Sequence, residues 1–235
     1  MMQNQSPFAS PSRLGVQPAA QLSAAFLTQS FAWMFAGLML TAVVAWYVQG
    51  SAALQQLAAD FLFPAIILQL GIVIGISFLI TRINATVALG LFFIYAATVG
   101  LTVGLIVSAY SMGSVATAFL SASAMFGAAA IYGATTKRSL ASIGGFLFMG
   151  LIGLIVAMVL NLFIGGEGFS FIISIGGVIL FTALTAYHVQ RIQNGELAAM
   201  TGSMEKAAVL GALMLYLSFI NLFLFFLRLF GSSRS

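Results

Sequence analysis

The chain has 235 residues, of which 62% are hydrophobic and 5% are charged, and its mean hydropathy is +1.14. A soluble domain carries about 25% charged residues, so this composition excludes a water-exposed globular protein and indicates an integral membrane protein whose main partner is the lipid bilayer. The formal net charge at pH 7 is +4, but the basic residues are scattered and predict no nucleic-acid site, and the lack of cysteine excludes disulfides and thiolate metal ligands.

Residues 1–25 are polar and contain Pro7, Pro11 and Pro18, which predicts a flexible cytoplasmic tail. The tail lacks the basic start and short apolar core of a cleavable signal peptide, so we expect the first apolar segment to stay as an anchor. Residues 26–231 are predicted to form one transmembrane domain, and residues 232–235 a short C-terminal tail.

Seven apolar segments follow the tail, and each is long enough to cross a bilayer as a helix. They are predicted at about residues 27–49, 61–80, 86–109, 113–133, 143–164, 168–190 and 207–230. The predicted fold is therefore an all-α membrane protein, a bundle of seven transmembrane helices.

The last segment is predicted to lie at the centre of the bundle. Its polar residues Ser218 and Asn221 share one helix face with Met214 and Phe225. Since polar groups avoid acyl chains, we expect this face to turn towards other helices, above all the end of the sixth segment.

The loop charges predict the orientation of the chain. One side carries Arg13, Arg82, Lys137, Arg138, Arg191 and Lys206, whereas the loops on the other side carry only Asp60 and Glu167. The positive-inside rule then places the N-terminus in the cytoplasm, and an odd number of spans leaves the C-terminus outside. Arg228, near that outer end, is expected to extend to the interface.

Small residues recur inside the segments at spacings that favour close helix packing. Gly71 and Gly75 form one GxxxG pair, and Gly100 and Gly104 form another. Such pairs allow two helix backbones to approach closely, so both are predicted to lie at helix contacts.

His188, the only histidine, lies near the cytoplasmic end of the sixth segment on one face with Gly177 and Phe181. One interpretation is an interfacial histidine near a helix C-terminus, where a cation is favoured. The other is a proton-sensitive gate, because histidine titrates near pH 6.5. Both interpretations remain open from the residues alone.

Several chemical functions are disfavoured. A Ser218–His188 hydrolase would need an exposed nucleophile and oxyanion donors, but Ser218 stands in an apolar run without a glycine turn. Lys206 lies at a segment boundary, not deep in the last span where a retinal Schiff base would need it. One histidine without an intramembrane carboxylate predicts no metal site. We therefore predict no enzyme activity and no cofactor.

Several sequence motifs together resemble the bacterial branch of the Bax inhibitor family, also called the transmembrane Bax inhibitor motif family. The resemblance covers nearly the whole chain after the tail. It is carried by Met125-Phe126-Gly127, Tyr132-Gly133-Ala134-Thr135-Thr136-Lys137-Arg138, Leu147-Phe148-Met149-Gly150-Leu151-Ile152-Gly153, Phe181-Thr182-Ala183-Leu184-Thr185-Ala186-Tyr187, Leu210-Gly211-Ala212-Leu213 and Phe219-Ile220-Asn221-Leu222-Phe223.

The resemblance implies a seven-helix bundle in which six helices surround the last one. It also implies a pH-controlled calcium leak, a role in stress protection and contacts with other membrane proteins, including a membrane-bound protease. In the family the leak is attributed to two facing aspartates, but this chain has His188 and Ser218 at those places, and Ser139 where relatives often have aspartate. The resemblance thus implies the fold without the two-carboxylate calcium mechanism.

Two functions are predicted for a protein of the bacterial inner membrane. The first is a pH-modulated cation (calcium) leak gated by His188 and Ser218 and supported by Tyr187, Asn221 and Arg82. Arg82 either serves only to set topology or bonds to the end of the sixth segment as a latch. The alternative function is a non-transporting protein that binds other membrane proteins and modulates their proteolytic quality control.

Overall fold

A computed structural model of the protein describes residues 19–232, and nearly all of them are helical. The helices are α1 (Ala19–Gln49), α2 (Ala52–Asp60), α3 (Leu62–Leu79), α4 (Ala85–Ser108), α5 (Met112–Thr135), α6 (Gly144–Ile164), α7 (Glu167–Gln193), α8 (Glu196–Thr201) and α9 (Met204–Phe230). A 3₁₀ turn, Ala141–Ile143, precedes α6.

Seven of the helices within residues 19–232 are long and apolar enough to cross a membrane, namely α1, α3, α4, α5, α6, α7 and α9. They coincide with the seven predicted segments, so the predicted fold class is confirmed. Helix α1 begins at Ala19, inside the predicted tail. The rest of that tail, residues 1–18, and the end of the C-terminal tail, residues 233–235, lie outside the described residues.

Polar side chains at the helix starts explain where several helices begin. The side chains of Ser51, Asn84, Ser111 and Ser203 each accept a hydrogen bond from a backbone N–H of the first turn that follows. An N-terminal cap of this kind satisfies a donor that the helix itself cannot pair. These short polar loops therefore separate helices in a chain that is otherwise almost continuously apolar.

Helix α9 lies at the centre of the bundle, as predicted. In its most apolar window 78% of the residues are buried, compared with 11% for α3 and for α6. Helix α9 packs against α1, α3, α4, α5 and α7, whereas α6 packs mainly on the outside of α7. The arrangement differs in this respect from the expected one, in which all six other helices surround the last.

The two GxxxG pairs have different environments. A Cβ atom added to Gly100 would lie 2.7 Å from Val44 Cβ, and one added to Gly104 would lie 2.7 Å from Val48 Cβ, so this pair allows the close α1–α4 contact. Gly71 and Gly75 of α3 have no heavy atom within 4 Å of the corresponding position, so the predicted packing role is wrong for that pair within this chain.

Helices α7 and α9 run antiparallel, and their contacts define how the two are staggered. Phe225 packs on Gly177 and Phe181 in the N-terminal half of α7, while Gly211 lies beside Ile192 at the other end of α7. With this register the first turns of α9 extend about 8 Å past the end of α7, at 1.5 Å per residue. Helix α8 packs beside the extension, and its Leu197 is fully buried.

Candidate functional site

His188 and Ser218 meet between α7 and α9. Ser218 Oγ lies 3.5 Å from His188 Nδ1 and donates a hydrogen bond of 3.0 Å to the carbonyl oxygen of Met214. Counted from the loops, the two residues lie at different depths in the membrane. The extension of α9 past α7 brings their side chains within contact distance. Because Ser218 has one proton and gives it to Met214, His188 Nδ1–H is the donor in their contact.

The exposure of the two side chains differs. Ser218 is 1% exposed, whereas His188 is only partly buried. His188 Nε2 forms no hydrogen bond with the residues in the range 19–232. That nitrogen can therefore gain or lose a proton while Nδ1–H continues to donate to Ser218. The arrangement allows His188 to change charge without breaking the contact between α7 and α9.

Tyr187 and Arg191 lie beside His188 at the C-terminal end of α7. The rings of Tyr187 and His188 are 5.6 Å apart, and the Arg191 guanidinium carbon lies 5.4 Å from the centre of the Tyr187 ring. Arg191 also forms a 3.0 Å ion pair with Glu196 of α8. The Tyr187 hydroxyl points away, towards Gly144 at the start of α6, so Tyr187 supports His188 through its ring and not through a hydrogen bond.

Asn221 lies one turn beyond Ser218 and donates a hydrogen bond of 2.8 Å to the carbonyl oxygen of Leu217. It lies with Met214 on the least buried edge of α9, whereas Ser218 and Phe225 are buried. The predicted polar stripe therefore follows the margin of the packed face and not its centre. Residues 222–227, between Asn221 and Arg228, are all apolar.

Arg82 is not part of this group of side chains. Its side chain is exposed on the turn between α3 and α4 and forms no hydrogen bond or ion pair with a described residue. The cross-connection at this turn is made instead by Lys206, whose Nζ donates to the carbonyl oxygen of Thr81 at 3.1 Å. The latch between Arg82 and the end of the sixth span is thus absent, and the connection runs to the start of α9.

Two polar groups that the sequence analysis did not single out stabilise the bundle. Thr41 Oγ1 lies 2.6 Å from the hydroxyl of Tyr216 and donates to the carbonyl oxygen of Ala96 at 2.8 Å, which joins α1, α4 and α9 in the core. Gln190, also buried, hydrogen-bonds the loop before α6. Tyr216 and Gln190 are polar residues within apolar runs, and this polarity could have identified them in the sequence as hydrogen-bonding residues of the bundle.

No group of three or more His, Asp or Glu side chains that could hold a metal ion occurs within residues 19–232. Calcium prefers six to eight oxygen ligands, several of them carboxylates. The imidazole and hydroxyl of His188 and Ser218 therefore do not make a tight calcium site. What they offer is one titratable group between two helices in the apolar part of the bundle.

A central helix surrounded by other apolar helices, with a polar contact at its edge, defines a multi-pass membrane protein. The model of the family described as "Inhibitor of apoptosis-promoting Bax1" matches residues 23–235. The chain therefore belongs to this family, as the sequence motifs predicted.

Similar proteins occur in several bacteria. The chain is 44% identical over 225 residues to the inner membrane protein YbhL of Escherichia coli, a match that covers 93% of this chain and 96% of that one. It is 41% identical over 210 residues to an uncharacterized protein of Deinococcus radiodurans, covering 89% and 90%. It is 38% identical over 215 residues to an uncharacterized protein of Borreliella burgdorferi, covering 89% and 93%.

Proposed function

We propose that the protein is a cation leak pathway of the bacterial inner membrane, with calcium as the permeating ion, and that His188 makes the leak depend on pH. The observation that carries the proposal is the contact between His188 and Ser218, which lies where the family resemblance implies a pair of aspartates. The membrane location is supported by the seven apolar helices and by similarity to an inner membrane protein.

The sign of the pH effect follows from the charge of imidazole. A pair of carboxylates that loses a shared proton becomes more negative, whereas His188 is neutral without its proton and positive with it. A positive His188 repels calcium, and most strongly where water is scarce. The leak is therefore small at neutral pH and smaller still once acid protonates His188.

The route of the ion is proposed along the edge of α9. Its polar side chains are Glu196 and Arg191 at the inner end, then His188, Ser218 and Asn221. Beyond Asn221 the route would have to open between apolar residues of α7 and α9, where the rings of Phe181 and Phe225 pack at a tilt with their centres 6.0 Å apart. Conduction therefore requires these aromatic side chains to separate. For this reason we expect the leak to be small at every pH.

The test is calcium flux into liposomes that contain only this protein, measured between about pH 5 and 8. We expect a slow flux that falls as the pH falls, and we expect His188→Gln to abolish this pH dependence while the protein remains folded. Gln keeps a hydrogen-bonding side chain without a titratable group. An unchanged pH profile in the variant would remove His188 from the mechanism.

The same experiment separates the leak from the alternative function. Absence of calcium flux at every pH, with helix content and thermal unfolding intact, would contradict a leak pathway. The protein would then act without transport, as a bundle that binds other membrane proteins, among them a membrane-bound protease. In that case co-purification from the membrane would identify the bound protein, and His188→Gln would leave the complex unchanged.

A further inference from the structure

A groove of about 560 Å³ opens along α7, between α5 and the loop and 3₁₀ turn that precede α6. Helices α5 and α6 both pack on α7 but hardly contact each other, so α7 forms the floor of the groove. Its lining is mostly apolar and includes Ala128, Ile143 and Ala183. The one hydroxyl on its floor, that of Thr182, donates to the carbonyl oxygen of Val178 at 2.7 Å, so the floor presents no free polar group.

The loop that ends the groove is held rigidly by Gln190 of α7. Gln190 Oε1 accepts a 2.7 Å hydrogen bond from Leu140 N–H, and Gln190 Nε2 donates a 2.8 Å bond to the carbonyl oxygen of Arg138. Leu140 lines the groove, as does Tyr132 from the last turn of α5. One buried amide thus fixes the loop backbone on both sides of Ser139 and determines where the loop meets the groove.

Two positively charged side chains belong to this fixed loop. The side chains of Lys137 and Arg138 are exposed, and the ion pair that the described residues form, Arg191 with Glu196, involves neither of them. Acidic residues of the chain that could neutralise the two cations are absent from α5, α6 and the loop between them. An apolar groove therefore ends at a pair of adjacent, unpaired positive charges at the predicted level of the lipid headgroups.

We propose that this groove binds one anionic phospholipid from the leaflet that faces the loop. An acyl chain lies in the groove along α5 and α7, and the phosphate lies at Lys137 and Arg138. Basic residues near the membrane attract anionic lipids, and arginine in addition matches the geometry of a phosphate group. Tyr132 is an aromatic residue at the mouth, the position such residues favour at the membrane interface. The proposal does not depend on the calcium leak.

The charge of the headgroup is tested by native mass spectrometry of the protein with phosphatidylglycerol and with phosphatidylcholine of the same acyl chains. We expect one tightly retained phosphatidylglycerol per chain and no retained phosphatidylcholine. Lys137→Gln with Arg138→Gln should weaken the binding of phosphatidylglycerol about 30-fold. The matched control is Arg82→Gln, which removes an exposed cation on the same predicted side but not at the groove, and it should leave the binding unchanged.

The groove itself is tested by filling it. Ala128→Trp places a large side chain in the groove from an exposed position on α5, and it should weaken phosphatidylglycerol binding as well. Ala124→Trp, at an exposed position one turn earlier that does not line the groove, should not. The proposal is overturned if Arg82→Gln weakens binding as much as the double variant, or if the two tryptophan variants behave alike. Binding of phosphatidylcholine at equal strength would also overturn it.

Discussion

Helix α9 makes two polar contacts that begin only two residues apart, at Tyr216 and at Ser218. The Tyr216 hydroxyl lies 2.6 Å from Thr41 Oγ1, and Thr41 in turn donates to Ala96 at 2.8 Å. The Ser218 hydroxyl lies 3.5 Å from His188 Nδ1. The two side chains point about 200° apart around the helix axis, so one contact is directed into the core and the other towards its edge.

The Tyr216–Thr41 contact has the features of a structural contact, whereas the Ser218–His188 contact has those of an adjustable one. Tyr216 is fully buried, packs edge-on against the rings of Phe92 and Tyr95, and has a short hydrogen bond, so its hydroxyl has no alternative partner. His188 is partly exposed, its contact is longer, and its second nitrogen forms no hydrogen bond with residues 19–232. We therefore expect the Tyr216 contact to determine stability and the His188 contact to determine function.

The largest expected effect concerns the side of the membrane to which His188 responds. The loop charges predict that the C-terminal end of α7 faces the cytoplasm. A reporter inserted near Asn194 should then be active only inside the cell, and one fused after Ser235 only outside. The opposite result for either reporter would place His188 near the other surface and would contradict the seven-span topology.

The next effect is on stability at the Tyr216 contact. Thr41→Val removes the hydroxyl that pairs with Tyr216 and leaves a buried hydroxyl without a partner, which should lower the free energy of unfolding by about 1–2 kcal/mol. Reversible unfolding in mixed micelles measures the change. Adding Tyr216→Phe should recover part of the loss, because no polar group then remains unpaired. A double variant less stable than Thr41→Val alone would contradict this explanation.

The smallest effect is expected at the other contact. Ser218→Ala removes a hydroxyl that is bonded mainly to its own helix, at Met214, so the free energy of unfolding should fall by only about 0.5 kcal/mol. The same unfolding assay, run beside Thr41→Val, compares the two contacts directly. If Ser218→Ala proved the more destabilising variant, the assignment of structural and adjustable contacts would be reversed.

Most of the fold could be predicted from the sequence because a bilayer leaves few choices. Apolar length alone located all seven spans, and the polar stripe of the last segment correctly predicted that it would be central. The two GxxxG pairs were indistinguishable in sequence, yet Gly100 packs against α1, whereas no atom of residues 19–232 outside α3 lies within 4 Å of a Cβ position at Gly75. Which helix covers a given face depends on tertiary packing, and no local pattern encodes it.

The site was predictable in its residues but not in its arrangement. His188 and Ser218 stood out as polar residues in apolar segments, and they do meet. Their contact depends on the extension of α9 past α7. The short helix α8 packs beside this extension. Helix α8 has only six residues, one of them acidic, and its sequence gave little indication of this role. Arg82 was predicted as a site residue because of its charge. The hydrogen bond between this turn and α9 is instead formed by Lys206, whose side chain donates to the carbonyl oxygen of Thr81.

The central claim is that the contact between His188 and Ser218 is a gate, and replacing both residues by aspartate tests it most directly. Two facing carboxylates can share one proton, which limits their net charge in the bundle and restores the pair that the family resemblance implies. We predict that calcium flux in liposomes rises above that of the parent and depends on pH. The single variant Ser218→Asp should gain little, because its carboxylate would pair with His188 and hold α7 against α9. A folded, reconstituted double variant that passes no more calcium than the parent would contradict the claim.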